Sequence, residues 1–294
     1  MTDANLGSKK QYKSMEKAVF CPGCGDYGVT ASIVKAMTEV GKELNNMLVV
    51  TGIGCSSSIA NQFNTYVVHS IHGRAVPIAS GAKLANNDLT VLVAGGDGDG
   101  FGIGVGHLIH AARRNIDITY VVMNNEIYGL TTGQASPTSF IGMKTKTTPN
   151  GVIENPINPL TLAISAGATY VARGFSGDPN HLATLIKNGM QHKGFALIDV
   201  FSPCVTFNHD NTYDWYRPKV YKLEEAGHDP SNIAKALEKA REIDISVDRL
   251  PIGLFYQAQR PTYEDLELSI KDGPVAKRQA PQKEEILDIL EKYQ

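Results

Sequence analysis

The amino-acid sequence predicts an α/β fold, a doubly wound parallel sheet with an extension at its C-terminal end. Runs such as TVLVAGG (90–96) and ITYVVMNN (118–125) are continuously apolar, as strands covered on both faces must be. Strand-like runs of this kind alternate with helix-like stretches along most of the chain. The 294 residues, 42% hydrophobic and 20% charged, suffice for one large core or one core with an appendage.

Taken in order, residues 1–20 are polar and read as an irregular arm. Met47–Thr51 reads as a strand followed by helix-like Ser57–Phe63, Tyr66–Ser70 is followed by Ala79–Asn86, and Thr90–Ala94 by Gly102–Arg113. Ile118–Met123 then leads into Gly129–Asn158, a stretch containing TTGQASPTS and KTKTTPNG that is too long for an idle connection and is expected to be functional or mobile. Pro159–Ala166, Thr169–Ala172, His181–Met190 and Ala196–Phe201 continue the alternation. Beyond Cys204 the texture changes: Tyr213, Trp215 and Tyr216 cluster, a helix is expected at Ser231–Ile243, and a charged helix at Lys283–Lys292. The expected organisation is an arm (1–20), a cofactor-binding and cysteine-bearing core (21–210), and an extension (211–294) packed on that core or on a partner.

A net charge of −2 and a pI near 6.4 give no broad electrostatic reason to bind nucleic acid or an anionic membrane. The N-terminal stretch lacks the apolar segment of a secretory signal, and no window approaches the ~20 apolar residues that span a bilayer. The expected location is the cytoplasm. In that reducing compartment the four cysteines, Cys21, Cys24, Cys55 and Cys204, argue for a metal site or redox chemistry rather than disulfides.

The sharpest local signal is GGDGDG at Gly95–Gly100, closing a strand and opening a helix. Glycines at such a turn let backbone N–H groups approach a phosphate, and the helix adds the favourable end of its dipole. No Gly-Lys-Ser/Thr follows, so this is not a Walker loop, and Asp97 and Asp99 place negative charge where a dinucleotide's pyrophosphate would sit. A bridging cation resolves the conflict. Mg²⁺ takes carboxylate, amide, carbonyl and phosphate oxygens together. Asn125 follows Asp97 by 28 residues at the end of the next strand, and parallel neighbours direct both residues to one crevice. Taken singly, GDGDG is also compatible with a plain turn and Asn124–Asn125 with a helix cap. The pair at this spacing resembles the diphosphate-binding motif of thiamine-diphosphate enzymes, which implies Mg²⁺ held by Asp97, Asn125 and the Ile127 carbonyl.

Cys21-Pro-Gly-Cys24 offers two thiolates on one turn, a common opening of zinc and iron–sulfur sites. Cys55 and Cys204 each follow an apolar strand, at the edge where the Mg²⁺ site is expected. Spacing alone leaves zinc, an iron–sulfur cluster, a thioredoxin-type pair at Cys21/Cys24, and small buried thiols at Cys55 and Cys204 all open. A redox-active cluster beside thiamine could accept electrons released by decarboxylation, and zinc could not.

Five ordered stretches, CPGCGDYG, GIGCSS, HGRAVPIASGAK, GGDGDGFGIGVGHLIHAARRN and NNEIYGLTTGQASPT, span roughly residues 20–138. With them the chain resembles the β subunits of 2-oxoacid:ferredoxin oxidoreductases. The resemblance implies a [4Fe–4S] cluster on Cys21, Cys24, Cys55 and Cys204. It also implies thiamine-diphosphate contacts from Gly54, Cys55, His72, Gly96, Asp97, Gly98, Asp99, Asn125, Tyr128, Gly129, Leu130 and Thr131. On residue type alone His72 reads more readily as structural, and Arg74 and Lys83, placed near the crevice, as solvated cations. Arg113 and Arg114 could simply complement a helix dipole. No catalytic residue is assigned on this chain: the glutamate that activates thiamine in this superfamily belongs to a pyrimidine-binding domain, so an α subunit is expected, with ferredoxin, a 2-oxoacid and coenzyme A as further partners and an (αβ)₂ assembly. Overall similarity favours 2-oxoglutarate, with pyruvate or mixed 2-oxoacids next. Phe20 stands where relatives often carry Trp, and Ser56 and Thr132 where some carry Lys, which bears on substrate preference.

Overall fold

The computed structural model describes residues 9–280 and 282–292, so the start of the expected arm lies outside the described residues. The strands are β1 (Met47–Thr51), β2 (Tyr66–His69), β3 (Thr90–Gly96), β4 (Thr119–Asn124), a short pair β5 (Ile127–Tyr128) and β6 (Gln134–Ala135), then β7 (Tyr170–Phe175), β8 (Ala196–Phe201), β9 (Val220–Lys222) and β10 (Leu250–Gln257). Eight of them form one sheet in the order β2-β1-β3-β4-β8-β7-β10-β9. Every neighbouring pair is parallel except β7 and β10. The α/β expectation is met.

Strands β1, β4, β7 and β8 are buried at every residue because helices cover both faces. Alternation along each strand divides the core. Val49, Leu92 and Val121 face α1 (Asp26–Val40) and α5 (Pro179–Gln191), meeting Val29, Ile33 and Met37 from the first and Leu182, Leu185 and Ile186 from the second. Val50, Val93 and Val122 face the opposite layer, formed by α2 (Ala75–Ala85), α3 (Val105–Arg114), α4 (Pro159–Ser165) and α6 (Ile233–Ala240). Each such aliphatic side chain, fully buried, stabilises the fold by about 1.5–3 kcal/mol.

Local chemistry sets the helix limits. Asn158 caps α4 by accepting from the N–H groups of Leu160 and Thr161, and Asp178 caps α5 by accepting from His181 N–H; a proline follows each cap. Helix α1 stops at Gly41, whose φ of 68° is the left-handed conformation glycine adopts freely. This helix was not anticipated, although Val29, Ile33 and Met37 recur at helical spacing. The expected Ser57–Phe63 helix is a tighter 3₁₀ segment, Ser56–Gln62, and the expected Ser231–Ile243 helix breaks at Arg241. No sequence signal foretold β9 and β10, which carry the sheet beyond β7. A final helix, α7, spans Lys283–Glu291.

The chain runs from β1 outward to β2 and then returns to β3 on the other side of β1. That reversal leaves a crevice between the C-terminal ends of β1 and β3, the position where open α/β sheets receive ligands. No helix among the described residues is long and apolar enough to cross a membrane.

Candidate functional site

At this crevice lies a cleft of about 280 Å³ whose walls include Gly54, Cys55, His72, Gly96 to Asp99, Asn125, Ile127 and Tyr128 to Thr131. The structure thus brings together every residue that the sequence suggested for thiamine-diphosphate contact. They come from the loop after β1, the turn after β2, and the segments after β3 and β4.

Asp97 is buried at the end of β3. Its Oδ2 accepts hydrogen bonds from Ser136 Oγ at 2.5 Å and from Thr138 Oγ1 at 2.7 Å. Burial raises its pKa, opposed by those hydroxyls and by backbone N–H groups including that of Asn125. Asn125 Oδ1 accepts from Ile127 N–H at 3.2 Å, and its own carbonyl accepts from Asn208 Nδ2 at 3.0 Å. The desolvated Asp97 carboxylate, the Asn125 side-chain amide and the Ile127 carbonyl belong to residues of the cleft wall and are oxygen donors of the hard type that Mg²⁺ takes. The residues therefore fit a magnesium–diphosphate group.

Asp99 has a different local task. Its Oδ1 accepts from Ile53 N–H at 2.9 Å and Gly73 N–H at 2.7 Å, and lies 3.0 Å from His72 Nδ1. One carboxylate ties together the loops after β1 and β2. His72 is accordingly both structural and cleft-lining, with Nε2 the ring nitrogen left for a ligand. Between Asp97 and Asp99, Gly98 is crowded by Tyr128: a Cβ there would lie 2.2 Å from the ring, whose hydroxyl donates to the Gly98 carbonyl at 3.0 Å. The segment closes as a π-type turn in which Gly104 N–H reaches the Asp99 carbonyl, and α3 follows.

The four cysteines are free thiols. Cys24 N–H bonds the Cys21 carbonyl at 3.0 Å, making the tight turn. A Cβ placed on Gly129, in the cleft wall, would lie 3.4 Å from Cys55 Sγ and 3.9 Å from Cys204 Sγ. Burial pushes the Cys55 thiol up to about 11, with added charge repulsion from Asp26, Cys204 and Cys21; Cys24 is raised by burial, Asp26, Cys204 and Cys21. Cys55 and Cys204 therefore neighbour one another, and no three His, Cys, Asp or Glu side chains among the described residues close around a single point. Bound metal displaces thiol protons, so neighbouring thiols of this kind suit a thiolate-bound metal centre.

Several residues here escaped the sequence reading. Ser136, Thr138 and Ser139 are buried, and Ser139 Oγ donates to the Glu126 carbonyl at 2.5 Å; this part of the long stretch after Gly129 is built into the site. Glu126 is buried at φ 59°, accepts from Tyr216 at 3.2 Å, and is pushed up to about 8, first by burial and then by Asp97. Asp26, also buried, accepts from Ser202 at 2.8 Å and is pushed up to about 6 by burial. Lys83 corrects an expectation: rather than a cation near the crevice, it is buried at the other end of the strands, 2.8 Å from both Asp117 Oδ2 and the Leu89 carbonyl.

Comparison with known proteins gives this geometry a family. Residues 52–200 match the thiamine pyrophosphate enzyme, C-terminal TPP binding domain, and residues 204–272 match the C-terminal family of the pyruvate ferredoxin oxidoreductase beta subunit. The chain is 47% identical over 257 residues to the 2-oxoacid:ferredoxin oxidoreductase subunit beta of a Sulfolobus species, covering 84% of each chain. It is 37% identical over 297 residues to the 2-oxoglutarate oxidoreductase subunit KorB of Mycobacterium tuberculosis, covering 87% of this chain and 79% of the relative. Among solved structures, it superposes with a TM-score of 0.88 and 43% identity on the 2-oxoglutarate:ferredoxin oxidoreductase from Magnetococcus marinus with 2-oxoglutarate, coenzyme A and succinyl-CoA bound, covering 96% of this chain and 95% of that one. With the diphosphate crevice and the neighbouring thiols, these matches establish that the chain belongs to the β subunits of the 2-oxoacid:ferredoxin oxidoreductases.

Proposed function

We propose that this protein, together with an α subunit, catalyses coenzyme A-dependent oxidative decarboxylation of a 2-oxoacid, with 2-oxoglutarate favoured. The products are an acyl-CoA and CO₂, and two electrons pass singly through a [4Fe–4S] cluster on Cys21, Cys24, Cys55 and Cys204 to ferredoxin. The same path run backwards is reductive carboxylation. The observation that carries this reading is that Gly129, in the wall of the diphosphate cleft, also adjoins Cys55 and Cys204.

When bound, thiamine diphosphate supplies the carbon nucleophile and electron sink, and the cluster a one-electron acceptor. The chain's own residues bind and orient. Asp97, Asn125 and the Ile127 carbonyl would hold Mg²⁺ while Ser136 and Thr138 fix the Asp97 carboxylate. His72, Tyr128 and the glycines at 96 and 98 shape the diphosphate end of the cleft. The partner requirement is supported by apolar side chains left in solvent at and near the cleft: Ile53 is 37% exposed, Leu130 57%, Ile103 56% and Ile71 73%. Were an α subunit to cover them, it would exclude water and supply the activating glutamate. The names of the Mycobacterium relative and the Magnetococcus structure favour 2-oxoglutarate, whereas the Sulfolobus name favours broader 2-oxoacid use. The cytoplasm is the proposed location.

Anaerobic purification with the partner, followed by iron, sulfide and zinc analysis and electron paramagnetic resonance after reduction, tests the proposal. The expected result is about four irons and four sulfides per chain and a reduced-cluster signal lost in Cys55→Ala. One zinc and no iron would replace it with a non-redox thiamine enzyme carrying a structural zinc. With the cluster present, turnover of 2-oxoglutarate against pyruvate decides the substrate.

A further inference from the structure

Asn208 is 1% exposed and lies between Asn125 of the diphosphate crevice and Cys204. Its main-chain N–H donates to the Cys204 carbonyl at 3.2 Å, which closes a single helix-like turn over residues 204–208. Its side-chain Nδ2 donates to the Asn125 carbonyl at 3.0 Å. One buried residue therefore grips a proposed ligand of each centre, Cys204 through its backbone and Asn125 through its side chain.

The direction of this amide is fixed. Its Oδ1 accepts from Asp210 N–H at 3.2 Å and from Asn211 N–H at 3.1 Å, which leaves Nδ2 as the end that meets Asn125. Asn125 Oδ1 in turn accepts from Ile127 N–H, so the hold on Asn125 extends to the residue that carries the third proposed Mg²⁺ ligand. Phe207 packs beside the same segment: a Cβ on Gly129 would lie 3.8 Å from its ring, and one on Gly133 3.4 Å. The chain after Cys204 and the chain after Asn125 are thus joined by a hydrogen bond and by apolar contact. Displacing one from the other leaves buried polar groups unpaired, which is costly.

We infer that Asn208 is a positioning residue that couples the two centres: it sets Asn125 in the crevice according to where Cys204 is held, so that metal on the thiols and magnesium–thiamine diphosphate each favour binding of the other. The inference rests on the proposed reading of both sites. Loss of metal from Cys204 frees the 204–208 turn, and the hold of the Asn208 amide on Asn125 weakens with it.

Asn208→Asp separates this role from a local one. At neutral pH the new carboxylate still accepts from the N–H groups of Asp210 and Asn211, which keeps the local turn, and it cannot donate to Asn125. Binding of magnesium–thiamine diphosphate to the complex with its α partner, read by calorimetric titration, should weaken by at least about tenfold, with iron content unchanged. Asn208→Ala, which loses the turn as well, should do no better. The coupling itself is read first in the wild type: complex stripped of iron under anaerobic conditions should bind magnesium–thiamine diphosphate at least about fivefold more weakly than loaded complex, and in Asn208→Asp that ratio should fall to about one. Wild-type affinity in Asn208→Asp, equal affinities of stripped and loaded wild type, or a ratio unchanged in Asn208→Asp would each overturn the inference and leave the proposed reaction standing. A wild-type complex that takes up neither iron nor thiamine diphosphate would overturn that reaction, and the inference with it.

Discussion

Thr138 Oγ1 lies 2.7 Å from Asp97 Oδ2 and 2.9 Å from Asn124 Oδ1, so one hydroxyl proton serves the ends of two adjacent strands. Thr138→Val keeps the side-chain shape and removes that proton. Binding of the magnesium–thiamine diphosphate complex should weaken about tenfold, the equivalent of about 1.4 kcal/mol, as measured by calorimetric titration of the complex with its α partner. Thr138→Ser should restore it. Equal affinities for wild type and Thr138→Val would show that Ser136 alone suffices to fix Asp97.

Asp99 holds two loops through three contacts to one oxygen. Asp99→Ala should cost about 3 kcal/mol, since hydrogen bonds to a charged group are worth about 1.5–3 kcal/mol each and are not additive. Scanning calorimetry should show Tm lowered by several degrees, with Asp99→Asn in between. Gly52→Ala should act in the same direction, because its Cβ would sit 2.0 Å from Asp99 Oδ2.

Arg173 and Asp199 are direct register partners on β7 and β8, and neither is exposed by more than 1%. Arg173→Met leaves Asp199 buried with, among the described residues, only the Asn124 amide, which donates to it at 3.1 Å. The expected loss is about 3–5 kcal/mol. In Arg173→Met/Asp199→Asn the residual charge is gone, so chemical denaturation should show the double variant more stable than Arg173→Met. A double variant that is less stable would mean that the aspartate charge is satisfied elsewhere.

Burial raises Glu264 above its ordinary value near 4.5, although Asp117 N–H donates to it at 3.1 Å. The folded state therefore holds the Glu264 proton more tightly than the unfolded chain does. Its protonated form favours folding below about pH 4.5, and that contribution fades as pH rises through the higher folded value. Glu264→Gln cannot ionise. Stability of the wild type relative to Glu264→Gln should fall from pH 4.5 towards 7, measured by denaturant unfolding. A flat difference would place the Glu264 pKa at the same value in both states.

The crevice was legible in the sequence because its residues sit at strand ends within short glycine-rich motifs. GGDGDG ends β3, Asn124–Asn125 ends β4, and parallel pairing does the rest. Contacts that return across long separations had no such marker. Thr138 reaching Asp97 depends on the path of the loop, and Arg173 facing Asp199 on a β7–β8 register that no local pattern specifies. Strand β10 escaped because Pro251 and Gly253 interrupt its apolar run; Gly253 has φ 124° and no room for a side chain beside Glu224. Helix α1 carried a readable apolar spacing that the glycines before it obscured.

The placement of β10 also bears on the order in which the protein matures during synthesis. Strands β1, β3 and β4 are complete once residue 124 has been made, the crevice at their ends gains its last parts by residue 138, and β8 and β7 dock by residue 201. The outer side of β7 then waits for residues 250–257 to arrive antiparallel against it. Until they emerge from the ribosome, the nascent chain presents an unpaired strand edge, the feature most prone to joining the wrong chain. A ribosome pause between residues 201 and 250 should therefore raise the yield of aggregates, and messages truncated there should give insoluble product even though they encode the whole diphosphate crevice.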